Sequence, residues 1–150
     1  MASTPEQALS EWLTGQAAFI DAFPGGLHYD VAPAGEGLEY PFVSFARTGA
    51  TPTMAAGKSS WSEDITYTFD VWDTGDAGDG AEIAESARTL ESILFGTRGA
   101  YQTPIHFTDG RILRRRGSLA GIGLAAGLGR GGADVQRATI EATLLVARDS

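Results

Sequence analysis

The sequence predicts an α+β domain, with two helices packed on one face of a mainly antiparallel sheet of four to six strands. Two segments, one near the N-terminus and one after residue 80, carry apolar residues at helical spacing. Two others, Trp61–Asp73 and Val135–Arg148, alternate apolar and polar residues, which is typical of strands with one covered and one wet face. A chain of 150 residues can bury enough surface to fold alone, so we expect one domain over residues 1–150.

The N-terminal segment carries a strong helix-start signal. Thr4 can accept a hydrogen bond at the N-cap, Pro5 suits the first helical position, and Gln7 can complete a capping box. The apolar spacing then continues, so one helix is predicted from Pro5 until the Pro-Gly-Gly sequence that begins at Pro24. A short strand is expected at Leu27–Val31, followed by a turn-rich loop.

The middle of the chain predicts two strands and the second helix. Pro41–Arg47 is apolar with proline in first position, where a missing N–H is tolerated. Thr48–Ser60 is rich in Gly, Pro, Ser and Thr, and we expect a long loop at about residues 48–60. After the strand Trp61–Asp73 and an acidic turn, Asp79 can cap a helix that ends near Gly96.

The C-terminal third predicts a basic strand, a second long loop and a closing strand. Tyr101–Phe107 is an extended segment or strand, and a turn then leads into Arg111–Arg116. The glycine-rich stretch that follows is expected to form a loop at about residues 117–133, since glycine loses the most backbone freedom on ordering. Loops of that length in compact domains are usually functional or disordered. Val135–Arg148 completes the sheet.

Charge is distributed unevenly along the chain. The net charge is −8, yet residues 110–133 contain five of the eleven basic residues and no acidic residue. This distribution argues against general nucleic-acid binding and allows one local contact with a polyanion or with an acidic neighbour. The chain has no Cys, which excludes disulfides and zinc–thiolate sites. We expect no signal peptide and no membrane helix, and production in the cytoplasm.

Several short patterns resemble ligand sites but lack the required context. Gly57-Lys58-Ser59 resembles the end of a P-loop, but Pro52 stands where that loop needs glycine. The glycines at 127, 129 and 132 fit a dinucleotide fingerprint that no helix follows. The aspartates at 73, 76 and 79 lack the alternate spacing of an EF-hand loop, so a solvated turn is favoured over calcium.

No catalytic arrangement stands out either. The two histidines, His28 and His106, are not part of any metal-ligand or nucleophile motif. The expectation is therefore a protein that is not an enzyme and that has no metal and no cofactor.

The basic strand fits poorly as a half-buried strand of a monomer. Regular alternation places Arg111, Leu113 and Arg115 on one side and the intervening residues on the other, so neither side is apolar. An edge strand that meets a partner explains this pattern, and so does a solvated edge whose charges resist aggregation.

The order of these features resembles the tail-completion and tail-terminator (neck) proteins of long-tailed bacteriophages, prophages and gene-transfer agents. The matching stretches, in chain order, are the N-terminal amphipathic helix EQALSEWLTGQAAFIDAF, the strand entry YPFVSFA, the strand DITYTFDVWD and the helix AEIAESARTLESILFG. They cover roughly Pro5 to Gly96 and, more loosely, the last strand. The glycine-rich segment has no counterpart in the usual pattern of that family.

The resemblance implies a virion structural protein of the tail or neck, assembled in the bacterial host cytoplasm. It implies a homo-oligomeric ring, commonly a hexamer, at the head-proximal end of the tail. Such rings end tail-tube growth, meet the tube protein and the head connector, and let DNA pass without a membrane contact. Within this interpretation we expect some side chains to face neighbouring subunits or DNA in the channel: Arg111, Arg114, Arg115, Arg116 and Arg130. Loop contacts to partner proteins are expected at Met54, Lys58, Leu119, Ile122, Leu124 and Leu128.

A second hypothesis is a nucleic-acid or nucleotide binding module. It would use Lys58 and the arginines of residues 111–116. Salt-dependent binding of short DNA by the isolated protein distinguishes it from the first hypothesis.

Overall fold

The computed structural model describes residues 1–29, 39–54, 61–74, 81–96, 101–125 and 134–148. Within these residues the helices are α1 (Pro5–Thr14), α2 (Ala17–Ala22) and α3 (Ala81–Phe95). The strands are β1 (Leu27–Tyr29), β2 (Phe42–Met54), β3 (Trp61–Thr74), β4 (Ile105–Phe107), β5 (Gly110–Ala125) and β6 (Val135–Arg148).

The six strands form one sheet in the order β1-β2-β3-β6-β5-β4. The short strand β1 runs parallel to β2, and every other neighbouring pair is antiparallel. The four long strands β2, β3, β6 and β5 therefore alternate in direction across the sheet. The predicted α+β fold with a mainly antiparallel sheet is confirmed.

The helices cover one face of this sheet. Their apolar side chains join those of the strands in a single buried core, which includes Leu9, Leu13, Phe19, Ile65, Phe69, Ile83, Leu90, Leu94, Ile140 and Leu144. The predicted alternation of β3 and β6 explains this core, because every second side chain points toward the helices. We call the opposite side the open face. At one end of it, Phe42, Trp72 and Val135 form a small separate cluster.

The N-terminal helix starts as predicted but is shorter. The backbone N–H of Gln7 donates to the Thr4 hydroxyl at 3.1 Å, which confirms the cap. The prediction of one continuous helix is wrong, because α1 ends at Thr14 and α2 begins at Ala17. Gly15 lies at the break, and glycine costs about 1 kcal/mol relative to alanine inside a helix. After the break, Phe19 of α2 packs in the core.

The first predicted long loop is wrong over its first half. Residues 48–54 continue β2 and pair with β3 as far as Met54 and Trp61, while residues 55–60 lie outside the described part. A bulge at Thr48 absorbs one extra residue. Local composition favoured a loop here, but a long partner strand satisfies the backbone of this segment and outweighs that preference.

The second predicted long loop is wrong over residues 117–125, for the same reason. Residues 117–125 belong to β5, which pairs with β6 along its length, and residues 126–133 lie outside the described part. Two other predicted strands are shorter than expected. The strand predicted at Leu27–Val31 is observed as β1 up to Tyr29, and residues 30 and 31 lie outside the described part. Of the segment 101–107, only Ile105–Phe107 is a strand.

Candidate assembly surface

The four arginines of the basic strand do not share one side. A bulge at Leu113 interrupts the pairing of β5 with β6, so the alternation of side chains resets there. The faces predicted from regular alternation are therefore wrong. Arg111, Arg114 and Arg116 lie exposed on the open face, and we call them the open-face arginines. Arg115 points the other way, into the helix-covered side.

Arg115 is buried, with only 6% of its surface exposed. Its Nε donates to the carbonyl of Leu94 at 2.8 Å, and its guanidinium lies 4.3 Å from the ring centroid of Trp12. Burial lowers the pKa of Arg115. Its Nη1 has no hydrogen-bond partner in the described part of the chain. Arg115 thus connects α1 and α3 to β5 and is inaccessible from the surface of the subunit, contrary to the outward orientation expected for it.

The side chain of Gln102 forms the hydrogen bonds to the backbone of Arg115 that a neighbouring strand would otherwise form. Its Oε1 accepts from the backbone N–H of Arg115 at 2.6 Å, and its Nε2 donates to the carbonyl of Arg115 at 2.8 Å. Sequence reasoning missed this role, since a single glutamine in an extended segment carries no recognisable signal.

Two of the open-face arginines line a small depression in the sheet. Arg114 and Arg116 surround it with Asp64, Thr143 and Leu145, and its volume is about 210 Å³. Ligand pockets usually enclose roughly 300–1,000 Å³. The depression is therefore better suited to a protruding side chain or a phosphate group than to a cofactor.

The open-face arginines have no ion pair within the described ranges. The salt bridges there join Arg47 to Glu6, between β2 and α1, and Arg148 to Glu63 at 2.7 Å. Both lie on the helix-covered side of the sheet, opposite the open-face arginines. Three exposed arginines therefore lie on one face of an acidic protein with a single carboxylate, Asp64, in the depression beside two of them. An excess of cations of this kind is typical of a surface that meets a negatively charged partner.

The second half of β5 exposes apolar side chains. Ile122 and Leu124 are 46% and 60% exposed, although both lie opposite buried positions of β6. Leu119 differs, because it packs against the core and its backbone N–H donates to the Glu91 carboxylate at 2.9 Å. Two of the predicted contact residues are thus available to a partner, and Leu119 is largely used within the subunit.

The remaining predicted contacts are not brought to this surface by the described residues. Met54 ends β2, and only its backbone is described. Lys58, Leu128 and Arg130 lie outside the described part of the chain. The P-loop-like and dinucleotide-like stretches lie there as well.

The described residues offer little for small-molecule chemistry. His28 Nε2 lies 2.8 Å from the carbonyl of Gly25, and His106 is exposed. Within the described ranges, no three His, Asp or Glu side chains come together in a way that suits a metal ion. No described helix has both the length and the apolar character required to cross a membrane.

Comparisons with known proteins identify the fold. No family model and no curated protein matches the sequence. Among solved structures, the chain is similar to one chain in the virion of a native gene transfer agent particle, with a TM-score of 0.58 and 18% sequence identity. The match covers 91% of this chain and 90% of that chain, so nearly the whole fold is shared.

Proposed function

We propose that this protein is a virion structural subunit that forms a ring at the head-proximal end of a phage-type tail. In this proposal the ring ends growth of the tail tube and joins the tail to the head connector. The role is assembly, not catalysis. Support comes from the shared fold with a chain of a gene transfer agent virion, over nine-tenths of both chains. The sequence resemblance to tail-completion and tail-terminator proteins supports it independently.

The observation that carries this proposal is the group of open-face arginines. A ring of subunits with net charge −8 brings like charges together at each contact. Arg111, Arg114 and Arg116 form no salt bridge within the described residues, and Asp64 is the one carboxylate that lines the depression with Arg114 and Arg116. In a ring they would face an acidic neighbour or the phosphates of DNA in the channel, where contacts position DNA without reading its sequence.

The oligomeric state tests this proposal. We expect purified protein to give a defined ring in light scattering and negative-stain microscopy, with a hexamer as the size to compare first. The ring should also bind the open ends of purified tail tubes. A strict monomer at high concentration that leaves tube ends free would contradict the proposal.

The arginines provide the sharper test. Replacing two of them, in the double variant Arg114→Ser/Arg116→Ser, should reduce ring stability or DNA retention several-fold, because two exposed cations leave the contact. Arg88→Ser is the matched control, since Arg88 is exposed on α3, outside the sheet. Rings of normal stability, normal DNA retention and normal infectivity in the double variant would contradict this role.

A nucleic-acid binding module remains the alternative, because the open-face arginines lie on one surface. Three phosphate contacts predict a slope of about −3 for log affinity against log salt concentration. We expect weak binding by the unassembled subunit, given its net charge of −8. Tight, salt-dependent binding of short DNA by a monomer would favour the alternative, with Lys58 the next residue to replace.

A further inference from the structure

The outer edge of β5 is uncovered over most of its length. In the described part of the chain, β4 pairs only with Gly110–Ile112. Side chains then partner the backbone of Arg115 and the N–H of Leu119. These bonds show which backbone groups point away from β6, and residues 117–125 have no strand beside them on that side among the described residues.

The alternation of backbone groups continues past a second bulge. Leu119 pairs with Ile140 and Gly121 with Thr139, so Ala120 is the extra residue. Successive residues of an antiparallel pair point their N–H and C=O groups alternately toward and away from the partner. From Leu119 onward this places the outward backbone groups at Ile122 and Leu124, beside their exposed apolar side chains.

The opposite side of the sheet has a matching gap. β1 pairs only with Val43–Phe45 of β2, so residues 46–54 have an uncovered outer edge among the described residues. This stretch is nine residues long, and β5 continues for six residues, 120–125, beyond the Leu119 N–H that Glu91 occupies. β2 and β5 also run in opposite directions, because three antiparallel pairings separate them.

At three positions in these two stretches, contacts among the described residues of the subunit do not explain why the residue is glycine. A Cβ added to Gly49, Gly121 or Gly123 would meet no atom of the described residues within 4 Å. Glycine weakens a strand interior and often marks the close approach of another backbone. Both stretches therefore combine an uncovered backbone edge with glycine, and the β5 stretch also exposes Ile122 and Leu124.

We propose that the outer edge of β5 at residues 120–125, beyond the Leu119 N–H that Glu91 occupies, pairs antiparallel with the outer edge of β2 within residues 46–54 in a second copy of this chain. The two edges lie on opposite sides of one sheet, so the contact is head-to-tail and repeats around a ring. It extends the sheet from copy to copy by strand addition. The proposal rests on the proposed ring and names the surfaces that would build it.

A symmetric pairing of β5 with β5 of a second copy fits less well. It would close a dimer and leave residues 46–54 of β2 uncovered, with Gly49 still unexplained. Pairing between the two different edges covers both stretches at once.

Paired cysteines test the contact directly, because the chain has no Cys of its own. The side chains of Ile122 and Ala50 lie on the same face of the sheet, since Ile122 pairs with Ala138 and Ala50 with Ile65. The variants are Ile122→Cys/Ala50→Cys and, for a register shifted by two residues, Leu124→Cys/Ala50→Cys. β2 and β5 of one copy are three strand spacings apart, roughly 14 Å, so a disulfide within one copy is excluded.

Mild oxidation followed by a non-reducing gel is the readout. We expect at least one double variant to give a ladder of covalent oligomers that ends at the ring. Ile122→Cys/Glu85→Cys, with its second cysteine on the exposed surface of α3, is the matched control and should give no ladder. Covalent dimers from Ile122→Cys alone would show the symmetric pairing and overturn the proposal.

The same samples separate this inference from the proposed function. Rings in light scattering with no ladder from either double variant would overturn the edge pairing and leave the proposed function standing. A ladder from rings that do not bind tail-tube ends would overturn the proposed function and support the edge pairing. Monomers without any ladder would overturn both.

Discussion

The two halves of β5 use glycine in opposite ways. In the first half, a Cβ on Gly110 would overlap the carbonyl oxygen of Ala147, and one on Gly117 would overlap that of Glu141. In the second half, a Cβ on Gly121 or Gly123 would have no atom of the described part of the chain within 4 Å. Glycine is thus required by packing inside the subunit in one half, and the described contacts give no reason for it in the other.

α3 explains where the change occurs. Its last turns lie over the first half, where Leu94 accepts from Arg115 and the Phe95 ring approaches Gly117. The final contact of this kind is that of Glu91 with the N–H of Leu119. Beyond it the exposure of the apolar side chains of β5 rises, to 46% at Ile122 and 60% at Leu124. The first half of β5 is thus completed within the subunit, whereas the outer edge and the apolar side chains of the second half stay uncovered among the described residues.

The largest effect is expected from Gly117→Ala. The added Cβ would overlap a backbone carbonyl of β6 and lie 2.7 Å from Phe95 Cζ, so the strand or the helix must move. We expect the free energy of unfolding to fall by about 3 kcal/mol or more. Urea unfolding followed by circular dichroism measures it. An unchanged urea midpoint would mean that β5 and β6 can move apart at Gly117 without a loss in the free energy of unfolding.

A smaller loss is expected from Arg115→Ala. The substitution removes the bond to the Leu94 carbonyl and the stacking on Trp12, and it leaves Gln102 in place because that side chain contacts the backbone. We expect a loss of about 2–3 kcal/mol, also by urea unfolding.

Arg115→Met is the control for this prediction. Methionine keeps the length of the stem and removes a buried charge that has no carboxylate partner among the described residues, so it should cost less than alanine. A loss as large as that of alanine would show that the charge, not the packing, stabilises this corner of the subunit.

Features that depend on a local pattern can be predicted from the sequence. The cap at Thr4, the alternation of β3 and β6 and the apolar stripe of α3 are visible in the order of the residues, and together they predict the α+β fold. A period of two or of 3.6 decides the strands and the helix, and each period is repeated over ten or more residues.

The candidate surface was less predictable because it depends on single-residue bulges. Leu113 reverses the side on which Arg115 lies, and Ala120 resets the outward positions further along. Nothing in the composition distinguishes a bulged residue from its neighbours. Whether a glycine-rich stretch forms a loop or a strand likewise depends on a partner strand, here β6, which a local pattern does not include.

The smallest effect on the subunit is expected from Gly121→Ala/Gly123→Ala, and it tests the comparison between the two halves most closely. Neither glycine has a positive φ, and the added methyl groups meet no atom of the described residues, so the free energy of unfolding should stay within about 0.5 kcal/mol or rise slightly. If another backbone approaches these glycines in the ring, the same variant should weaken assembly several-fold in light scattering across a dilution series. Gly117→Ala should instead lower the free energy of unfolding, because its methyl group disturbs the subunit before any assembly takes place.

If Gly121→Ala/Gly123→Ala unfolds as easily as Gly117→Ala, the second half of β5 is packed within the subunit. Unchanged stability together with unchanged assembly would show that no backbone comes close to these two glycines.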